Sequence, residues 1–249
     1  MTLSKMLFGV FALALFAFAC EDDNDNTPDK NTQTFEFTSN VEGWTAGFAD
    51  LPKLLTKEDS SIYELSFKWS ATLPAEVGGN RAGALFIAGH NRSDDLFMFF
   101  KRKITGLLPN TNYQVDFDVD LASEAPTGAV GIGGAPGESV YFKAGVSDKE
   151  PLAVLDPQDN HYRMNIDKGQ QSESGREMKV LGDIANGKPA NGLGSAPFTI
   201  IKRKTTAPIS VKTDAQGACW IVLGTDSGFE GLTRLYYDRV GVVFTPQAK

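Results

Sequence analysis

Acid–base chemistry in this chain would have to come from a few polar stretches. There are two histidines, His90 and His161. A serine-hydrolase triad needs one of them, and neither lies near a GxSxG turn. His90 is the better placed, because Asn91, Arg92, Ser93, Asp94 and Asp95 follow it directly. Histidine next to carboxylates can exchange protons near neutral pH. Two carboxylate pairs offer a second chemistry: Asp94 with Asp95, and Asp226 with Glu230. A glycosidase needs two carboxyls about 5 to 9.5 Å apart. A hydrolase reading therefore rests on His90, Asp94 and Asp226. Neither acidic pair has EF-hand spacing, and two cysteines, Cys20 and Cys219, give no zinc spacing.

Binding without turnover asks for different residues. Sugar rings stack their C–H faces on aromatic side chains, and Tyr or Trp adds a hydrogen bond. Trp69 and Trp220 fall inside strand-like runs and read as core. Trp44 and Tyr162 lie near loops and are the better platforms. Three polar loops share a character: His90–Asp95, Asn165–Gln171 and Asp226–Glu230. If they meet at one end of the fold, His90, Asn91, Arg92, Asp94, Asp95, Asn165, Asp167, Lys168, Asp226 and Glu230 form a pocket of convergent polar groups.

The elements that must position these groups are strands. Phe35 and Phe37 alternate with Glu36. Ile62 to Trp69 alternates, with Leu65, Phe67 and Trp69 on one side. Tyr113, Val115, Phe117 and Val119 face one way, and Gln114, Asp116, Asp118 and Asp120 the other, where cross-strand cations should meet them. Leu96 to Phe100 is apolar on both faces and must be covered on both, by the opposing sheet and by either a long loop or a ligand groove. Many short strands with Gly/Pro turns and no convincing amphipathic helix beyond the N-terminal stretch predict an all-β, two-sheet antiparallel sandwich with long irregular loops. The Gly-dense stretch Pro126–Gly137 lacks the Lys of a phosphate loop and is followed by a strand, so it reads as a loop over a site or a crossing between sheets. Asp148–Asn186 is longer than packing requires, as functional loops often are.

Near the C-terminus, Asp238 shares the parity of Tyr236, Val240, Val242 and Phe244. A regular strand would place its carboxylate on the apolar face, where it needs a basic partner or Ca²⁺. A bulge at Gly241 would instead turn it outward.

The formal net charge is −7, which argues against nucleic acid, since phosphates need a basic footprint. The length suits one sandwich with a substantial core and no disulfides. Oligomeric state is not legible.

The N-terminus has Lys5, an apolar run Met6–Phe18, and Ala17-Phe18-Ala19-Cys20 followed by Glu21-Asp22-Asp23-Asn24-Asp25-Asn26. It reads as a secretory signal, too short to span a bilayer. The Ala-Cys junction resembles the lipobox of bacterial lipoproteins. The acidic run resembles the export signal of surface lipoproteins in Bacteroidetes-type bacteria. The resemblance implies cleavage before Cys20, lipid carried on its thiol, and attachment to the outer membrane facing outward. Several chains on one residue hold firmly. The chain then divides into a signal (1–19), a polar tether (20–32) and one sandwich (33–246). Cys219, left without a partner, should be buried.

Ile104–Val119, with its Leu-Pro-Asn-Thr-Asn-Tyr turn and strand, resembles fibronectin-like and jelly-roll carbohydrate-binding modules. Such modules often hold a structural Ca²⁺ between first and last strands, which nominates Asp238 with Glu36. The resemblance implies a non-catalytic, glycan-binding domain. The other readings are a hydrolase acting on an extracellular polymer and a structural or interaction protein of the cell envelope.

Overall fold

The computed structural model describes residues 29–54, 56–78, 82–92, 94–192 and 194–247. The signal, Cys20 and most of the tether lie outside them. Among the described residues no helix is long and apolar enough to cross a membrane.

In chain order the strands are β1 (Asn31–Phe35), β2 (Thr45–Ala49), β3 (Leu51–Pro52), β4 (Ser66–Thr72), β5 (Ala82–His90), β6 (Leu96–Ile104), β7 (Asn112–Ser123), β8 (Val140–Ser147), β9 (Ala153–Asp156), β10 (His161–Met164), β11 (Met178–Asp183), β12 (Thr199–Lys204), β13 (Ile209–Lys212), β14 (Cys219–Ser227) and β15 (Leu232–Pro246). They form a seven-stranded and a five-stranded antiparallel sheet packed face to face, as the alternating patterns predict. In the larger sheet β7 and β15 are the long central pair. β12 and β13 share the free edge of β7, and β5 and β1 share that of β15, with β4 beyond β5. The smaller sheet runs β11-β8-β14-β6-β2.

Between them lies the core. Tyr113, Val115, Phe117, Val119 and Leu121 of β7 meet Cys219, Ile221 and Leu223 of β14 and the even-numbered residues Leu96, Met98 and Phe100 of β6. Tyr237 is wholly buried at its centre, its ring 5.1 Å from Phe100 and 6.0 Å from Phe142. On the outer face of the larger sheet, Lys202 pairs with Asp120 at 2.9 Å, and Lys204 and Arg239 pair with Asp118 at 2.9 and 3.0 Å. Those aspartates are answered from neighbouring strands, as their spacing suggests.

The apolar strand β6 is covered twice. Its odd-numbered Phe97 and Phe99 face out from the smaller sheet and are buried by Ile166, Met178 and Met164 of the irregular segment. A third, three-stranded sheet, β3-β10-β9, frames that cover. A loop, not an open groove, closes this face.

Two strand readings need correction. Ile62–Trp69 is not one strand: a short helix, α1 (Lys57–Ile62), precedes β4, and Glu64 turns the chain at φ 47°. β4 is the edge of the wider sheet, so Phe67 remains 55% exposed although it pairs with buried Ile87. The second concerns β15. Its pairing with β7 shifts register between Tyr237 and Arg239. Leu235 and Tyr237 point inward before the bulge, and Val240, Val242 and Phe244 after it. Asp238 occupies the bulge, not the apolar face, and Tyr236 lies outside against Phe86 and Phe198. One inserted residue reverses the parity on which the expectation rested.

Candidate functional site

The outer face of the smaller sheet carries charge at one end. Asp226 of β14 stands opposite Phe97 of β6 and Tyr141 of β8. Two residues away on β8 is Lys143, paired with Gly224. On one sheet face such diagonal neighbours are within reach of long side chains. The Lys143 ammonium lies 2.7 Å from Asp226 Oδ2, and both side chains are fully buried. Asp50 joins from the β2–β3 junction, at φ 57°, a conformation Asp tolerates; its amide donates to the Tyr162 carbonyl at 2.6 Å. Asp95 enters just before β6. Lys168 comes from the loop after β10. Its ammonium sits 2.7 Å from Asp226 Oδ2 and 2.8 Å from Asp50 Oδ2, and 5.1 Å from the Phe97 ring centroid.

These five side chains make one buried ionic network. Burial disfavours an ionised Asp226, but Lys168 and Lys143 outweigh it and hold its carboxyl below the usual range. Burial likewise opposes the Lys168 charge, and Asp226 and Asp50 override it, raising its pKa. At Lys143 burial wins over Asp226 and lowers the pKa. Asp95 goes the other way. Burial first, then the charges of Asp226 and Asp50, push its carboxyl up to about 7. Three carboxyl groups thus face two lysines, and Asp95 is the one whose ionised form is disfavoured.

The loop that delivers Lys168 is internally braced. Asp167 is exposed, but its carboxylate accepts from the Gly169 and Arg176 amides at 3.1 and 2.8 Å, and these bonds keep its pKa low. Its own amide donates to Glu177 Oε2 at 2.9 Å. Asn165 accepts from the Leu152 amide and donates to the Glu150 carbonyl, both at 2.9 Å. Gly169 adopts φ 69° against the backbone of Glu173 and Gly175, where a side chain would collide. Gln170 donates to Asp95 Oδ2 at 2.5 Å, and Gln171 to the Asp94 carbonyl at 3.3 Å.

The three polar loops do meet. Asp95, Lys168 and Asp226 are in one cluster, with Asp94, Asn165 and Asp167 in its supports. Asn91 is buried and fastens the first loop to the third, donating to the Ser227 carbonyl at 2.9 Å. Glu230 is half-buried and its amide bonds the Ile132 carbonyl at 2.8 Å, docking the Gly-rich segment. His90 and Arg92 turn elsewhere. His90 Nδ1 is 2.9 Å from Glu64 Oε1, and Arg92 Nε donates to the Ile62 carbonyl at 3.1 Å. Tyr162 is half-buried in β10. Trp44 is not a platform: it is 3% exposed, edge-on to Phe35 and Phe37 in the core. Its place after a turn suggested exposure, yet β1 and the following loop fold over it.

Sequence reasoning missed Asp50, Lys143 and Arg163, and it named the loop that holds Gln170 without singling that residue out. Lys143 had a readable signal, as a lone cation in the apolar run Val140–Val146. Asp50 had none, because its role depends on a two-residue strand. Arg163 bonds Asp50 Oδ1 at 3.2 Å and Asp159 Oδ2 at 2.8 Å. Asp50, Arg163, Met164, Asp167, Lys168 and Gln170 border an open recess of about 460 Å³.

Among the described residues, Asp50, Asp95 and Asp226 bring ligand oxygens within 4.8 Å of one another. The donor set does not suit Ca²⁺, because the Lys168 ammonium already bridges two of the three carboxylates and an ion would have to displace it. Glu36 is exposed and Asp238 lies in the β15 bulge; neither belongs to this cluster.

No family model and no curated protein matches the chain. Among solved structures it is similar to a carbohydrate-binding module of Caldicellulosiruptor saccharolyticus in complex with mannohexaose, at 12% identity over 85% of this chain and 96% of that one, TM-score 0.39. It is also similar to a xylan-binding domain from Paenibacillus barcinonensis, at 10% identity over 87% and 95%, TM-score 0.39. A third is the K1 cleaved adhesin domain of Lys-gingipain from Porphyromonas gingivalis, at 10% identity over 85% and 97%, TM-score 0.34. Likeness at this level transfers neither ligand nor activity. What the molecule itself defines is a two-sheet antiparallel sandwich with a buried ionic network beneath a polar recess.

Proposed function

We propose that this chain is a lipid-anchored, outward-facing protein of a bacterial outer membrane whose sandwich binds a glycan without turning it over. The recess beside Arg163 and Gln170 carries the reading. Its border sets a guanidinium, an amide and carboxylates side by side, and the ionic network beneath fixes the loop that holds them. Sugar hydroxyls both donate and accept, so a border of mixed donors and acceptors suits them. Arg163→Ala and Gln170→Ala should each weaken retention on the polysaccharide gel that best retards the wild type. Failure of the wild type to bind any member of a broad glycan array at high protein concentration would overturn the reading.

The anchor rests on Cys20 and the acidic residues behind it. Labelled palmitate should appear on the wild-type protein and vanish in Cys20→Ala. A wild-type chain released unlipidated would sink this part.

One observation favours the hydrolase alternative. The Asp95 carboxyl is pushed up to about 7 while that of Asp226 is held below its usual range, and such divergence is how carboxyl pairs divide acid and base roles. Against it, Asp226 is fully buried and Asp95 is 8% exposed, and a general acid must come within hydrogen-bond reach of the leaving oxygen. Release of reducing ends from a retained glycan, lost in Asp95→Asn with retention intact, would establish the hydrolase reading instead.

A further inference from the structure

A second cavity, of about 340 Å³, opens where the Gly-rich segment meets the turn after β14. Glu124, Pro126, Pro136, Phe229, Thr233 and Arg234 contribute to its lining. We propose that this cavity is a binding site separate from the recess and that it takes a single neutral sugar ring. The proposal rests on the glycan reading and adds a second site to it.

The walls are held before any ligand arrives. Asn186 is buried and its amide group donates to the carbonyls of Ser123 and Pro197 at 2.9 and 3.0 Å. Its main-chain amide reaches the Ala125 carbonyl at 3.0 Å. Ser123 Oγ donates to the Ile184 carbonyl at 2.7 Å, and the Ala196 amide to the Glu124 carbonyl at 2.8 Å. Buried side chains thus lock the ends of β7 and β11 and the connector before β12 into one frame. The Phe229 ring is slotted against Gly131 and Gly231, where any side chain would strike it. A frame fixed in advance spares a ligand the cost of ordering it.

The chemistry of the lining selects the ligand. Phe229, Pro126, Pro136 and Ile184 offer apolar faces suited to the C–H side of a pyranose ring. Arg234 donates through Nε to Glu124 Oε1, so the polar wall carries a fork of donors beside a carboxylate and no net charge. Neighbouring hydroxyls can donate to Glu124 and accept from Arg234 together. A uronate would have to take Arg234 from Glu124, leaving two carboxylates side by side, and an amino sugar would have to take Glu124 from Arg234, leaving two cations side by side. A purely apolar molecule would cover the ion pair and return no hydrogen bond.

The test is an NMR titration of the full sandwich with methyl α-mannoside, methyl β-galactoside and methyl β-glucoside, with glucuronate and glucosamine as charged counterparts. At least one neutral glycoside should shift the Phe229 and Thr233 resonances. The charged sugars should bind about tenfold more weakly or worse, the scale of one lost charge-assisted hydrogen bond. Phe229→Ala and Glu124→Gln should abolish the shifts, and Arg163→Ala should leave them unchanged. Because Phe229→Ala also alters the turn that follows β14, the strand of Asp226, Arg234→Lys serves as the milder variant: it keeps the charge, loses the fork, and should weaken binding. If none of the three glycosides shifts these resonances while a polysaccharide is still retained, this inference fails and the glycan reading stands. If no polysaccharide is retained either, both fall.

Discussion

Lys143 and Asp226 meet at 2.7 Å across β8 and β14, with no solvent on either side chain. Two charges removed from water are costly, and each makes the other tolerable. Asp226 Oδ2 also receives Lys168 at the same distance, so one carboxylate oxygen serves a cation from the sheet and one from the loop above it. The network is the rivet between the sandwich and its irregular cover.

Removing the shared member should therefore cost most. Asp226→Asn takes the paired carboxylate from buried Lys143 and leaves Lys168 with Asp50 alone, and it should lower unfolding free energy by about 3–5 kcal/mol, the range for a broken buried pair. Lys143→Met should cost less, since Lys168 still neutralises Asp226. Urea midpoints of the two variants decide the order, and equal losses would contradict a shared role.

Stability should depend on pH through Asp95. Its carboxyl sits at about 7 in the folded chain against an ordinary value of 3.8. Between those values the folded state binds more protons than the unfolded one. The contribution of Asp95 is thus full below the ordinary value and is lost as pH rises through about 7. Urea midpoints should fall across that window in the wild type. In Asp95→Asn, which keeps an acceptor for Gln170, the fall should flatten.

Gly169 tests whether loop geometry delivers Lys168 and Gln170. Gly169→Ala must hold φ 69° and push on the backbone of Glu173 and Gly175, so it should cost more than the roughly 1 kcal/mol of an unfavourable backbone conformation alone. Gly106→Ala, at φ 79° with open space around it, supplies that baseline. If retention on polysaccharide falls in Gly169→Ala and not in Gly106→Ala, the loop holds the recess. Equal retention in both would separate the loop from binding.

Cys219 should be chemically silent. It is 1% exposed, and burial pushes its thiol up to about 12, which leaves almost no thiolate to react at about pH 8. In a Cys20→Ser chain, where it is the sole thiol, labelling by an aromatic disulfide reagent should proceed at the rate of unfolding. Rapid labelling of the native protein would contradict the core placement.

The parts of the fold that were readable are those with local periodicity. Tyr113–Val119 and the doubly apolar Leu96–Phe100 announced their faces because side chains alternate within a few residues. Their consequences followed: cations opposite Asp118 and Asp120, and a cover over Phe97 and Phe99. Trp44 and Asp238 misled for one reason each. A residue after a turn can still be covered by the strand and loop before it, as Phe35 and Phe37 cover Trp44, and a single bulge flips the face of every residue beyond it.

The residues alone determined an all-β sandwich with its strand faces and three polar loops rich in carboxylates and amides. They also led to the expectation that Cys219 is buried if Cys20 carries lipid. Only the tertiary structure decided that Asp50, Asp95 and Asp226 share one site with Lys143 and Lys168, and that His90 does not. Alternation is written over neighbouring positions, but this cluster draws on β8, β14, the ends of two other strands and a loop far apart in the chain. Their meeting depends on pairing register, on the φ of Asp50 and Gly169, and on an ionic balance that exists only once water has been excluded.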